Sequence, residues 1–236
     1  MPSIAAKNIG IIRERIERAA RHAGRDSKEI SLVAATKSVD AKKIQAAIKA
    51  GVNTFGENYV QEAKKKIKEI RTSKDISWHF IGHLQKNKAK EAVKFFNMIE
   101  TIDSVGLAKE LNKKAERKLD VLIQVNLAKE TTKGGVYEYE LLPLSREIAK
   151  LENISLKGLM TIPPYFENPE MARPYFTALR RLAEKIRREN IPGVVMKDLS
   201  MGMSNDFEVA IEEGATIIRV GTAIFGERPE KKQVKG

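Results

Sequence analysis

Short runs of β-branched and apolar residues alternate with longer amphipathic segments from about residue 30 to about residue 225. This alternation is typical of βαβ units and predicts a parallel sheet. Eight runs have the length and composition of strands, at Ser31–Thr36, Thr54–Phe55, Trp78–Ile81, Met98–Thr101, Val121–Asn126, Leu156–Leu159, Val195–Leu199 and Ile217–Val220. Eight strands favour a closed barrel over an open sheet because closure removes both exposed edges.

Between these runs, apolar residues recur every three to four positions, which is the spacing of a helix with one buried face. The predicted helices are Ala41–Ala50, Tyr59–Ile70, Lys86–Phe96, Val105–Ala115, Glu138–Leu151, Met171–Glu189 and Phe207–Glu213. A further amphipathic segment, Ile4–Ala23, stops at Gly24 and predicts an additional N-terminal helix. The sequence therefore predicts an α/β protein, a single (β/α)8 TIM barrel over residues 1–236, with a loose tail at 227–236.

Composition narrows the classes of function. The 236 residues include no cysteine, which excludes disulfides, zinc-thiolate sites and thiol nucleophiles. No run approaches the roughly 20 apolar residues of a membrane span, and the N-terminus lacks the shape of a signal peptide, so we expect a cytoplasmic protein with no membrane partner. No large apolar surface is apparent beyond the stripes that the helices need, which favours a monomer.

The net charge of +12 would attract phosphorylated ligands or nucleic acid. Many cations, however, lie beside acids in helical segments such as Gln61–Glu69, where a solvated face is the expected arrangement. The sequence has no nucleic-acid recognition motif, so we expect no specific nucleic-acid partner.

Lys37 ends the first predicted strand, and the active site of a (β/α)8 barrel lies at that end of the strands. With a period of two residues, Val33, Ala35 and Lys37 share a face, and the small Ala35 leaves space beside the amine. A lysine there loses hydration, which favours the neutral amine that attacks an aldehyde to form an imine. An ordinary surface lysine is the alternative.

The junctions after the seventh and eighth strands resemble a phosphate cup, the usual use of these loops in this fold. Glycine permits close backbone approach and helix-start amides donate hydrogen bonds. Ser204, Gly221 and Thr222 are the candidate phosphate ligands. Alternatively, Ser204 or Asn205 is only a helix N-cap, with Glu208 completing a capping box on Asn205.

Several blocks in the same order resemble the pyridoxal phosphate homeostasis proteins of the YggS/PROSC type, which look like the barrel domain of alanine racemase standing alone. The resemblance covers nearly the whole chain. The blocks are Ala35–Val39, Phe55–Glu62, Trp78–Lys88, Gly158–Met160, Leu199–Ser204 and Arg219–Gly226.

This resemblance implies that Lys37 carries pyridoxal 5′-phosphate (PLP) as a Schiff base, that the Ser204 loop, Gly221 and Thr222 hold its phosphate, and that Arg219 faces the pyridine nitrogen. Asn58 is expected to line the site. The implied role is to buffer, carry or deliver PLP, with apo PLP-dependent enzymes as possible partners.

Rapid turnover is not expected. Guanidinium is only a donor, so a ring nitrogen bonded to Arg219 is unprotonated and the ring is a weaker electron sink. Alanine racemase also takes a tyrosine base from a second domain, and no such domain follows the eighth predicted strand in this sequence. A PLP-dependent racemase of narrow specificity, or a Schiff-base aldolase-type barrel, remains the alternative.

His79 and His83 do not suggest a metal site, because residues four apart on a strand are about 13 Å apart. We expect both to have a core role, as we do Trp78 and Phe80. The methionines near the barrel mouth either contact the PLP ring or fill the mouth; they are Met160, Met201 and Met203.

Overall fold

The computed structural model describes residues 3–70, 75–130 and 134–227. Eight parallel strands form a closed barrel in chain order, with β8 paired to β1. The strands are β1 (Ser31–Ala35), β2 (Thr54–Glu57), β3 (Ser77–Phe80), β4 (Met98–Ile102), β5 (Leu119–Gln124), β6 (Ile154–Met160), β7 (Asp198–Ser200) and β8 (Ile217–Val220). The predicted barrel is confirmed, and β8 has the predicted bounds.

Helices cover the outside of this barrel. They are α1 (Ile4–His22), α2 (Ala41–Lys49), α3 (Val60–Glu69), α4 (Ala89–Phe95), α5 (Val105–Lys114), α6 (Glu138–Ala149), α7 (Arg173–Arg188), α8 (Phe207–Glu212) and α9 (Thr222–Phe225). Short 3-10 turns at Lys86–Lys88 and Pro169–Ala172 replace the predicted first turns of α4 and α7. The four-residue α9 was not predicted because it is too short to show helical periodicity.

The seventh strand is the largest error in the predicted elements. Val195 is 46% exposed, and the strand begins only at Asp198. The N–H groups of Val195 and Lys197, two residues apart, donate to the consecutive carbonyls of Leu156 and Lys157. This extra residue interrupts a regular ladder, so an apolar run that contacts β6 is not itself a strand.

Two apolar layers stabilise the barrel. A small interior set fills the space between the strands, and it consists of Val33, Met98, Leu122, Met160 and Ile217. A much larger layer lies between the strands and the helices. Trp78 and Phe80 belong to this outer layer, as predicted.

The N-terminal helix packs on the barrel's flank, where α1 contacts α2, α8 and α9. The hydroxyl of Ser3 accepts a hydrogen bond from Ala6 N at its start, and Gly24 follows it with a φ of +66°. Asn8 Nδ2 also donates to the carbonyl of Ile224 at 3.0 Å. The predicted extra helix is thus confirmed, and it stops where glycine relieves the left-handed backbone.

None of the helices in the described part of the chain is both long and apolar enough to cross a membrane. Residues 228–236 of the predicted tail lie outside the described residues.

Candidate functional site

A cavity of about 420 Å³ opens at the C-terminal ends of β1, β7 and β8. Its lining includes four of the six predicted site residues, Ser204, Arg219, Gly221 and Thr222. Ala35 of β1 lines the same cavity, as expected for the small residue beside Lys37. The remaining lining residues are Tyr165, Met203, Asn205, Asp206 and Glu227.

Lys37 lies two residues beyond Ala35, and its side chain is partly buried. The pairing of Ala34 with Val220 places this end of β1 beside Gly221. The ammonium of Lys37 lies 5.3 Å from the ring centroid of Tyr59, so it is turned toward Tyr59 and does not itself line the cavity. The four-carbon stem of a lysine is flexible, so the amine can change its orientation by rotation about side-chain bonds.

The loop after β7 meets the start of α9 at Ser204. The hydroxyl oxygen of Ser204 accepts long hydrogen bonds from the backbone N–H groups of Gly221 (3.4 Å) and Ala223 (3.3 Å). Two amide donors and one hydroxyl therefore converge on a single point of the cavity wall. Such a group of donors is suited to the oxygens of a phosphate.

Two glycines in the loops after β7 and β8 lie very close to their neighbours. Gly202 has a φ of +92°, and a Cβ there would lie 2.6 Å from the Cβ of Ala210. A Cβ on Gly221 would lie 3.2 Å from the carbonyl oxygen of Ala35. Gly202 therefore cannot carry a side chain without strain, and Gly221 allows its loop to approach β1 closely.

Arg219 reaches the interior of the barrel, and only 4% of the residue is exposed. Its guanidinium donates to Ser200 Oγ at 2.5 Å and to the carbonyl of Thr161 at 2.9 Å. Burial lowers the pKa of Arg219, whereas the charges of Glu100 and Asp206 oppose this shift. The guanidinium is thus held in one orientation below the cavity.

Glu100 is the centre of the polar group beneath the site. It is fully buried and accepts a hydrogen bond from Ser200 (2.5 Å), while His79 Nδ1 lies 2.7 Å from its other oxygen. Burial by itself raises the pKa of Glu100, but the hydrogen bond and charge of His79 and the charge of Arg219 outweigh burial and lower it. We expect an ionised carboxylate at neutral pH.

Asn58 lies in a different cavity, of about 340 Å³, with Tyr59, Gly82 and His83. A Cβ on Gly82 would lie 2.3 Å from the carbonyl oxygen of Asn58, so the two loops touch. The structure therefore places Asn58 next to Tyr59, whose ring faces the Lys37 ammonium, but not in the cavity shared by Ser204, Arg219, Gly221 and Thr222.

The two histidines have different environments. The predicted core role holds for His79, which is buried inside the barrel, but is wrong for His83, whose side chain is 68% exposed and lies 3.4 Å from Asp103. His83 reaches the surface because it follows the end of β3 and lies in the loop beyond it. Within residues 3–70, 75–130 and 134–227, no cluster of three or more His, Cys, Asp or Glu residues could hold a metal ion.

The predicted capping box on Asn205 is also wrong. Asp206 precedes α8 and accepts from Met203 N at 2.6 Å, and Asn205 Nδ2 instead donates to the carbonyl of Phe166. Glu208 pairs with Arg15. Met160 and Met201 are fully buried, whereas Met203 lines the cavity.

A buried charged cluster on α3 differs from the solvated face that the pattern of Gln61–Glu69 predicts. The side chain of Lys66 is only 7% exposed, and it pairs with Glu57 and Glu62. Its helical phase is the signal that indicates burial, because residues at spacings of three from Val60 and Ala63 fall on the buried face.

Comparison with known proteins agrees with this architecture. Residues 8–229 match the family model described as alanine racemase, N-terminal domain. A pyridoxal phosphate homeostasis protein of Aquifex aeolicus is 45% identical over 95% of this chain and 98% of its own, and one of Escherichia coli is 40% identical over 97% and 98%.

Solved structures give the same result. PipY of Synechococcus elongatus, solved with PLP bound, superposes with a TM-score of 0.79 at 35% identity, covering 90% of this chain and all of PipY. Alanine racemase of Clostridium difficile has a TM-score of 0.71 at 16% identity, which shows the shared fold, and the match spans 58% of that enzyme. The chain belongs to the alanine racemase N-terminal domain family and, within it, to the pyridoxal phosphate homeostasis proteins.

Proposed function

We propose that this chain binds PLP reversibly through Lys37 and serves to buffer, carry or deliver the cofactor without rapid turnover. The observation that supports it most directly is the convergence of Ser204 Oγ with the N–H groups of Gly221 and Ala223 in the cavity above Arg219. The names of the relatives, and the PLP-bound structure of PipY, point to the same ligand.

The described residues fit this cofactor. The cavity of about 420 Å³ falls in the range of small-molecule sites, and it offers phosphate donors on one side. PLP supplies an aldehyde that condenses with amines and a ring that withdraws electrons. Lys37 would hold this aldehyde through a C=N bond formed by its side-chain amine, with loss of water.

Arg219 would weaken the ring as an electron sink, a feature that alanine racemase shares although it turns over. Its guanidinium can only donate, so it orients a ring nitrogen that accepts, and the ring then withdraws electrons weakly. Ser200 and Thr161 fix the guanidinium, which therefore cannot turn away from this role. Asn58 would bound the site from the neighbouring cavity, on the side of Tyr59.

A racemase of narrow specificity would also need a proton-transfer group facing the opposite side of the ring. Tyr165 lines the same cavity and is the side chain that favours this alternative. The residue is 76% exposed, however, so water competes with its phenol. We therefore infer that slow exchange, not racemisation, is the activity of the site.

The test is a PLP titration followed by borohydride reduction. We expect an absorbance band at about 420 nm that borohydride removes, with the reduced adduct located on Lys37 by peptide mass spectrometry. Lys37→Ala should lose this adduct, whereas Lys43→Ala, on the nearby helix α2, should keep it. Absence of an adduct on Lys37 in the unaltered protein would overturn the proposal.

A second experiment separates carrier from enzyme. The loaded protein should restore an apo PLP-dependent enzyme, and amino acids incubated with it in heavy water should acquire deuterium at well below about 1 s⁻¹. Faster incorporation would instead establish a racemase or a related enzyme.

A further inference from the structure

A buried charged cluster lies behind Lys37, on the helix side of the barrel wall. Lys66 Nζ is 2.7 Å from Glu57 Oε1 and 2.7 Å from Glu62 Oε1. The side chain of Glu57 is fully buried and that of Lys66 is 7% exposed, while Glu62 reaches solvent with 27% exposed. We call Glu57, Glu62 and Lys66 the α3 cluster.

The α3 cluster binds the backbone on both sides of Lys37. Lys66 Nζ donates to the carbonyl of Thr36 at 2.5 Å, which belongs to the peptide group before Lys37. Glu62 Oε1 accepts from Ser38 N at 2.7 Å, which belongs to the peptide group after it. Both peptide groups that flank Lys37 are therefore held by charged side chains.

These contacts fix a turn that has an unfavourable backbone conformation. Val39 N donates to Thr36 O at 2.9 Å, which closes a turn with Lys37 and Ser38 at its centre. Ser38 has a φ of +62°, a left-handed conformation that is costly for a residue with a Cβ. Such a conformation persists only where the surroundings determine it.

Stability alone is a weak explanation for the α3 cluster. Burying an ion pair costs desolvation energy that its attraction often fails to recover. Glu57 Oε2 is buried without a hydrogen-bond partner among the described residues, and burial raises the pKa of Glu57 against the opposing effects of Lys66 and Thr36. The cluster carries a cost that a purely apolar contact would avoid.

We propose that Lys66, held by Glu57 and Glu62, is a positioning residue that fixes the Lys37 turn and so sets the direction from which the Lys37 amine approaches the cofactor's aldehyde. This inference rests on the proposed function. It predicts that the α3 cluster governs formation of the C=N bond and not the grip on the phosphate, since Ser204 and Gly221 lie on other strand ends.

Two ligands distinguish an effect on C=N bond formation from an effect on phosphate binding. PLP carries the aldehyde, whereas pyridoxine 5′-phosphate has the same phosphate and ring with an alcohol in its place. In Lys66→Met, we expect PLP to form the 420 nm band about tenfold more slowly or worse, because misplacement of a reacting group is costly. The affinity for pyridoxine 5′-phosphate should change by less than about twofold, because no contact to the phosphate is lost.

Matched variants control for folding and charge. Lys64→Met removes an ion pair of the same helix, Lys64 with Glu91 at 2.6 Å, and should leave both ligands unaffected. Glu62→Gln keeps an oxygen acceptor for Ser38 N and should form the band near the normal rate, whereas Glu62→Ala should be slow. The double variant Glu57→Gln with Lys66→Met removes the unpaired buried carboxylate if Lys66→Met alone folds poorly.

A normal rate in a folded Lys66→Met or double variant would overturn the inference. Equal losses of affinity for both ligands would also overturn it, because they would indicate only a structural role. If the unaltered protein gives no adduct on Lys37, the proposed function itself has failed, a result distinct from the other two.

Discussion

The guanidinium of Arg219 lies 4.0 Å from the carboxylate of Glu100 inside the barrel, and both side chains are almost completely buried. Ser200 bridges them, since it accepts from Arg219 and donates to Glu100. The positive charge beneath the candidate site is thus balanced by a carboxylate that lies outside the lining of the cavity.

Glu100→Gln should destabilise the fold, because it removes the carboxylate that does most to balance the buried charge of Arg219. We expect a loss of about 3–5 kcal/mol in the free energy of unfolding, measured with urea. As a control, Glu110→Gln alters a partly exposed pair with Lys114 and should cost less than about 0.5 kcal/mol. A cost for Glu100→Gln as small as that of the control would show that the charge balance is unimportant.

The same carboxylate predicts a pH dependence. The pKa of Glu100 is lower in the folded protein than in the unfolded chain, so the unfolded state binds more protons in acid. The stability that ionised Glu100 contributes is therefore complete above the pKa of an unfolded glutamate, about 4.3, and is lost as the pH falls below it. The stability difference between the unaltered protein and Glu100→Gln should shrink below about pH 4. A difference that stays constant across that range would contradict the lowered pKa.

Gly202→Ala should disrupt the loop that follows β7. Its φ of +92° and the 2.6 Å approach to Ala210 leave no room for a Cβ, and we expect a loss of about 2 kcal/mol or more. Gly10→Ala offers the opposite case, because Gly10 lies in α1 and a Cβ there would have no neighbour within 4 Å. It should stabilise the protein by about 0.5–1 kcal/mol, and thermal unfolding measures both.

Arg15 joins α1 to α8. It makes two hydrogen bonds to Glu208, at 3.0 and 2.6 Å, and its guanidinium lies 4.5 Å from the ring centroid of Phe207. Arg15→Met should cost about 1–2 kcal/mol. Arg18 approaches the same carboxylate at 3.9 Å but is 77% exposed, so Arg18→Met should cost less than about 0.5 kcal/mol. Equal losses of stability in Arg15→Met and Arg18→Met would show that only the loss of one positive charge, and not the contacts of Arg15, affects stability.

Ser204→Ala should weaken phosphate binding without unfolding the protein. Loss of one hydroxyl from the group of donors should lower the affinity for pyridoxine 5′-phosphate by about three- to tenfold, measured by calorimetry. Ser27→Ala, at the opposite end of the barrel, should have no effect. Unchanged affinity in Ser204→Ala would place the phosphate elsewhere.

The barrel was predictable because its alternation of strand and helix patterns is visible along the chain, and β8 was located at both ends. The later start of β7 could not be predicted, because Val195 belongs to an apolar run whose backbone hydrogen bonds to β6 are out of register. Pattern shows which segments are buried but not whether their hydrogen bonds form a regular ladder.

The candidate site followed from the fold. Ser204, Arg219, Gly221 and Thr222 converge because neighbouring parallel strands end at the same edge. The α3 cluster was not foreseen, because Lys66 lies in a run of three lysines that looks like a solvent-exposed helix face. Glu100 was not foreseen as the partner of Arg219, because tertiary contacts decide which carboxylate lies beside a buried guanidinium. Asn58 was assigned to the site from the family resemblance alone, and the structure places it in a neighbouring cavity, because a resemblance carries no information on how the loops pack.

Closure of the barrel has a consequence for synthesis. Ala35 ends the first strand and Gly221 follows the last, and the pairing of β1 with β8 is what brings these two sides of the candidate cavity together. The ribosome must therefore release β8 before this cavity can form, so we expect a nascent or truncated chain that lacks the last strand not to bind the cofactor.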